Sequence, residues 1–191
     1  MSKTATVQKN QNWKELYAPS VVLVLICLIT TFALAATYQI TKPIIAEINR
    51  VIYERTQMTV LPQETQGFDP YDGALNEGIQ AASLSRSDVG KVVTAVERGY
   101  GGPLTVMVGI DANGAITGIQ ILNHKETPGL GTKTMTEDHL GQYLGQSKIT
   151  NSGEAGAAQI DAISGATISS DTIYRAVSNA LSQYATMGGA K

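Results

Sequence analysis

Lys91-Val-Val-Thr-Ala-Val-Glu97, Leu104-Thr-Val-Met-Val-Gly-Ile110 and Ala115-Ile-Thr-Gly-Ile-Gln-Ile-Leu122 are short runs dominated by β-branched and apolar residues. Between them lie Gly99-Tyr-Gly-Gly-Pro103 and Asp111-Ala-Asn-Gly114, whose glycines, proline and Asp/Asn pair are turn-formers. Strands joined by turns this short must pair antiparallel, so the reading predicts a meander. Downstream, helices are expected over about Thr136 to Leu144 and, after a glycine-rich stretch, over about Asp171 to Tyr184. Residues from about 63 to 90 mix Gly, Asn, Asp and Ser with few apolar runs and are expected to form loops and short elements. No internal repeat interrupts this order, which predicts an α+β fold: one domain over 62–191 with an antiparallel sheet and flanking helices.

Upstream, no charged residue occurs from Leu16 to Thr41. As a helix this run reaches about 39 Å, more than the roughly 30 Å of a bilayer's hydrocarbon core, so a single transmembrane helix is expected over 18–38. Trp13, Tyr17 and Tyr38 fall near its ends, where aromatic rings suit the interface. A cleaved signal peptide is the alternative, since Lys3, Lys9 and Lys14 precede the run and Ala33-Leu34-Ala35 is a small-x-small site. Against it, the apolar run is longer than an ordinary signal core. Residues 39–61 are expected as an amphipathic stalk helix, with Pro43 at a first helical position, a stripe of Ile44, Ile45, Ile48, Val51 and Ile52, and an end before Pro62. The flanking cations are nearly balanced. Lys3, Lys9 and Lys14 against Glu15 nevertheless leave the tail 1–17 at +2, so the chain's net −2 puts −4 on the rest. That asymmetry favours a cytoplasmic tail and an extracytoplasmic domain.

The whole chain is 43% hydrophobic but only 16% charged, against about 25% charged in ordinary soluble domains. A slightly acidic protein has no field with which to hold a phosphate backbone, which argues against nucleic-acid binding. One cysteine, Cys27, excludes an intrachain disulfide framework, a Cys-ligated metal or iron–sulfur site and c-type haem attachment. With only His124 and His139 besides, no metal site is expected, and redox chemistry would need an organic cofactor.

The stretch richest in chemistry is Asp161-Ala-Ile-Ser-Gly-Ala-Thr-Ile-Ser-Ser-Asp-Thr-Ile-Tyr174. Small residues surround Thr167 and leave its hydroxyl accessible. Ser169 or Ser170 is a suitable N-cap for the following helix, whose N–H groups and positive dipole end favour an anion at this turn. A plain surface turn would look the same, and a threonine with no neighbouring base is a poor nucleophile.

Family resemblance separates these readings. Asp161-x-x-Ser164-Gly165-Ala166-Thr167 resembles the sequence on which a flavin transferase esterifies FMN to threonine, an acceptor role that needs no base. His124-Lys-Glu-Thr-Pro-Gly-Leu-Gly131 and Gly99-Tyr-Gly-Gly-Pro-Leu104 resemble two further blocks of FMN-binding domains. Together with the N-terminal helix they are similar to the G subunits of Rnf ion-translocating electron-transport complexes, a family sharing its architecture with the C subunits of sodium-pumping NADH:quinone reductases. The resemblance implies covalent FMN on Thr167, with Ser164, Gly165, Ala166, Glu126, Thr127, Gly129, Leu130, Gly131 and Lys133 around the cofactor and Asp161 among the residues the transferase reads. It implies an electron carrier, not catalytic alone, in the cytoplasmic membrane. Its partners would be lipid, a flavin transferase and the other membrane and peripheral subunits of a complex coupling ferredoxin–NAD+ electron transfer to Na+ or H+ movement.

Leu130 would offer an apolar wall to an isoalloxazine, and loop N–H groups would meet ring atoms that gain charge on reduction. Glu126 is open to a bracing role instead, Lys133 to plain solvation, and His124 to loop packing. A G-x-G-x-x-G nucleotide fingerprint is absent, since Gly99, Gly101 and Gly102 run into Pro103. Two other functions stay open at this level: a stand-alone extracytoplasmic flavoprotein reductase, and a membrane-tethered binding or sensory domain without flavin.

Overall fold

The computed structural model describes residues 3–64 and 66–188, with 3–16 given by backbone alone. The chain divides into two compact units, Met1–Val51 and Ile52–Lys191. One helix, α1 (Lys3–Val60), makes up the first and continues into the second. From Tyr17 it is long and apolar enough to cross a membrane. Side chains from Tyr17 to Arg50 are exposed. Thr30, Thr37 and Thr41 each return the hydroxyl to the carbonyl four residues earlier at 2.9 Å, a partner that suits a polar group in lipid. Pro43, expected to begin a separate stalk helix, lies inside α1 and does not end it. The helix stops at Val60, ahead of Pro62, where the ring disfavours a helical preceding residue.

In the second unit, β1 (Phe68–Pro70), β2 (Ile79–Ser85), β3 (Gly90–Arg98), β4 (Pro103–Asp111) and β5 (Ile116–Asn123) form an antiparallel sheet in chain order. The α+β fold class expected from the sequence is the one found, with one addition. Within 63–90, β2 is a seven-residue strand. It evades detection because its buried residues include Ala82, Ser83 and Ser85, so apolar alternation is missing.

The chain continues through a 3-10 turn (Gly131–Met135), α2 (Glu137–Gly141), the two-residue strands β6 (Ile149–Thr150) and β7 (Ala158–Gln159), and α3 (Thr167–Thr186). The expected helix over 136–144 is thus shorter, its C-terminal part becoming tight turns such as Tyr143 N–H to the Leu140 carbonyl at 3.2 Å. On α3, Ile173, Ala176, Val177, Ala180 and Tyr184 form one apolar stripe packed against Val93, Ala95, Leu104, Val106, Val108 and Ile110. At its far end Lys91 Nζ donates to the carbonyls of Met187 at 3.0 Å and Gly188 at 3.1 Å, holding a helix terminus rich in free acceptors.

Alternate residues of the same strands face the other way. There Val92 and Met107 pack with Val60 and Leu61, and Tyr53 Oη meets Thr94 Oγ1 at 3.1 Å. The last turns of α1 are therefore core, not tether. They approach the sheet where Gly109 faces Gly118 across β4 and β5; a Cβ on Gly118 would lie 2.7 Å from Val60 Cα, and one on Gly109 would overlap the Val60 carbonyl. That carbonyl, among the last of the helix and lacking an intrahelical partner, accepts the Thr117 hydroxyl at 2.5 Å.

Just beyond the helix, Glu64 is buried, at 4% exposure. Burial alone would raise its carboxyl. The Ser85 hydroxyl, the Ser87 and Gln66 N–H groups and the Ser87 hydroxyl outweigh that and lower it to about 2. A carboxyl lowered by folding stabilises the fold above its ordinary value near 4.5, and that stabilisation disappears as pH falls towards about 2. Glu64→Gln is expected to melt earlier than wild type at pH 7, with the difference shrinking between about pH 4.5 and pH 2, followed by circular dichroism. A gap that is constant over this range would contradict the assignment.

Candidate functional site

The hairpin turn between β3 and β4, the loop leaving β5 and the start of α3 meet at one end of the sheet. Ile163-Ser164-Gly165-Ala166 forms a turn closed by the Ala166 N–H on the Ile163 carbonyl at 2.9 Å. Gly165 has φ +81°, as the third position of a type II turn requires. The turn delivers the chain into α3 at Thr167, with Ala166 as N-cap and no side-chain cap. The helix thus starts earlier than expected, and neither Ser169 nor Ser170 is the cap. Both are buried in its first turn: Ser170 Oγ accepts the Ile163 N–H at 3.0 Å, and the Ser169 hydroxyl donates to Glu126 Oε2 at 2.7 Å.

Position within the helix leaves the Thr167 hydroxyl free. Thr172 and Thr186, further along α3, return theirs to the Ile168 and Ser182 carbonyls one turn back. No preceding turn of α3 exists for Thr167, and its exposed side chain makes no hydrogen bond among the described residues. It sits amid the unpaired N–H groups of a helix N-terminus, which favour an anion.

Glu126 ties the segments together. It is 5% exposed, accepts the Ser169 hydroxyl from α3, and takes the Gly101 N–H of the hairpin turn on Oε1 at 3.3 Å. Two glycines make room for it: a Cβ on Gly99 would overlap Oε1, and one on Gly131 would come within 2.5 Å of Oε2. The three glycine-containing blocks of the sequence are therefore parts of one structure.

They enclose a cavity of about 380 Å3 lined by Tyr100, Glu126, Thr127, Leu130, Gly131, Gly165, Ala166, Thr167, Ile168 and Ser169. Its size lies within the range of small-molecule sites. Tyr100, Leu130 and Ile168 are 70%, 46% and 55% exposed, an apolar rim without a cover. Of the residues expected around a cofactor, Thr167, Gly165, Ala166, Glu126, Thr127, Leu130 and Gly131 come together here. Ser164, Gly129 and Lys133 lie outside the lining; Gly129 gives its N–H to Thr132 Oγ1 at 2.9 Å, and Lys133 is exposed on the 3-10 turn. Asp161 borders a second hollow on the other side of Thr167, with Asp171 and Tyr174. Behind that hollow the fully buried Tyr143 has its phenol pushed up by burial, then by Tyr174 and the Asp171 carboxylate. His124 lines a larger groove with Leu140 and Leu144, apart from this site.

Sequence reading alone did not single out Tyr100, Ile168 or Ser169 as lining. A signal was available for Tyr100, since an aromatic ring between glycines has no core of its own to join.

Residues 99–182 match the FMN-binding domain family. Over 186 residues the chain is 28% identical to the G subunit of the proton-translocating ferredoxin:NAD(+) oxidoreductase complex of Clostridium ljungdahlii, covering 96% of this chain and 99% of that one. The sodium-translocating counterpart from Acetobacterium woodii is 28% identical over 91% and 93% of the two chains. The G subunit of the ion-translocating oxidoreductase complex of Methanosarcina acetivorans is 30% identical over 88% of this chain and 94% of its own. Likeness of that extent, running through the apolar helix and the three blocks alike, makes this chain a member of the family of G subunits of ion-translocating oxidoreductase complexes.

Proposed function

We propose that Thr167 carries FMN through a phosphoester made by a flavin transferase. The chain then serves as an electron-carrying subunit of a membrane complex coupling electron transfer between ferredoxin and NAD+ to ion translocation, with its domain on the extracytoplasmic side. The observation that carries the reading is the free Thr167 hydroxyl, on the first turn of α3 and at the rim of an apolar-edged cavity. The bound flavin would supply the redox chemistry. Around it, the N–H groups opening α3 meet the phosphodiester charge, while Tyr100, Leu130 and Ile168 offer apolar contact to the ring system. Asp161 and Ser164, off the cavity and exposed, are available to the transferase. Lys133 is assigned to solvent or the phosphate side, and Gly129 shapes the loop.

Attachment and sidedness are tested together. The full-length protein is co-expressed with a flavin transferase either exported or confined to the cytoplasm, and its intact mass is measured. With the exported enzyme the mass is expected to rise by that of FMN less water, and the denatured band to fluoresce under ultraviolet light. No adduct with either enzyme refutes the covalent assignment, and labelling by the confined enzyme alone places the domain in the cytoplasm.

A further inference from the structure

A brace at the position of Glu126 needs hydrogen-bond acceptors but no charge. The side chain present is nevertheless a carboxylate, buried at 5% exposure, and both of its oxygens act as acceptors. No lysine, arginine or histidine pairs with it among the described residues. A buried carboxylate without a cation is costly, and two neutral donors offset only part of that cost. Its position decides what the charge acts on: Glu126 lines the same cavity as Thr167 and Leu130. In a protein interior a unit charge acts strongly on any other charge that develops near it.

We propose that the Glu126 carboxylate sets the reduction potential of the flavin, a role that rests on the reading of Thr167 as the flavin's attachment point. Reduction moves one electron from a donor centre of the complex to the isoalloxazine, oxidising the donor and leaving the ring one unit more negative unless a proton follows. The fixed negative charge of Glu126 opposes that change and holds the potential low. Gly99 and Gly131 admit the carboxylate, and Ser169 and Gly101 fix where it stands.

The experiment is an equilibrium redox titration of the flavin-loaded, full-length protein, followed by flavin absorbance. Glu126→Gln keeps the size and removes the charge. Its potential is expected to rise by at least the equivalent of a tenfold change in the one-electron equilibrium, about 59 mV. Glu126→Asp, which keeps the charge, is expected to recover most of the wild-type value. Ser169→Ala removes a donor from the carboxylate but leaves its charge, and is expected to lower the potential. A loaded Glu126→Gln with an unchanged potential overturns the proposal. If Glu126→Gln does not fold, Ser169→Ala decides, and a potential that rises or stays put overturns it. Wild type without flavin on Thr167 would refute the attachment itself, a separate result seen by mass before any titration begins.

Discussion

Thr167→Ala is expected to abolish the proposed covalent attachment of flavin and to leave the domain folded. The substitution removes an exposed hydroxyl that makes no hydrogen bond among the described residues, at the first position of a helix where alanine is a good former. Packing is unaffected, because the apolar stripe of α3 begins at Ile173. The melting temperature should therefore stay near wild type, with a stability change within about 0.5 kcal/mol. Intact mass after co-expression with the transferase should lose the whole adduct, not a fraction of it. Thr167→Ser keeps the hydroxyl and should keep partial labelling, which separates loss of the acceptor from loss of recognition. An undiminished adduct in Thr167→Ala would move the attachment elsewhere, with the exposed Ser164 hydroxyl the first to examine.

What could be read from the sequence depended on whether a residue's local chemistry matched its tertiary task. In β3, β4 and β5 it does: β-branched residues fill both faces of a sheet covered on both sides, and Asp111-Ala-Asn-Gly114 is a turn whichever way the rest folds. In β2 the buried residues are Ala82, which joins the apolar core with α3, and Ser83 and Ser85, whose hydroxyls have buried partners: Gln57 Nε2 donates to Ser83 Oγ at 2.9 Å and Ser85 donates to Glu64. Those partners lie many residues away, so no local pattern announces the strand. At the start of α3 the conflict is sharper. Ser169 and Ser170 are good caps by composition, yet Ser169 is committed to Glu126 and Ser170 to the Ile163 N–H, and the turn at Gly165 begins the helix earlier. Pro43 is a similar case, because a residue that suits a helix start is also found within a long one.

The candidate site was legible as three separate blocks, while the reason they belong together was not. Glycine in a turn normally signals a positive φ, but Gly99 and Gly131 are required here by the volume of the Glu126 side chain. The burial of Glu126, and with it any electrostatic role, depends on segments more than twenty residues apart meeting around it.

Gly109→Val should be strongly damaging, because it acts where the last turn of α1 packs on the sheet. A Cβ on Gly109 would overlap the Val60 carbonyl, a backbone atom that cannot rotate away, and Thr117 Oγ1 lies within 2.8 Å of the same point. Relief requires lifting the end of α1 off the sheet. That would break the hydrogen bond from Thr117 to Val60 and open the cluster of Val60, Leu61, Val92 and Met107, all fully buried. Overpacking of this kind costs about 1–3 kcal/mol, and the loss of apolar burial puts the expected value at or above the top of that range. The melting temperature of the full chain in detergent should fall accordingly, and protease should gain access to the segment after Val60. Gly109→Ala, with only the one added carbon, should fall in the same direction and by less. A wild-type melting curve for Gly109→Val would mean that the close approach of Val60 to the sheet contributes nothing.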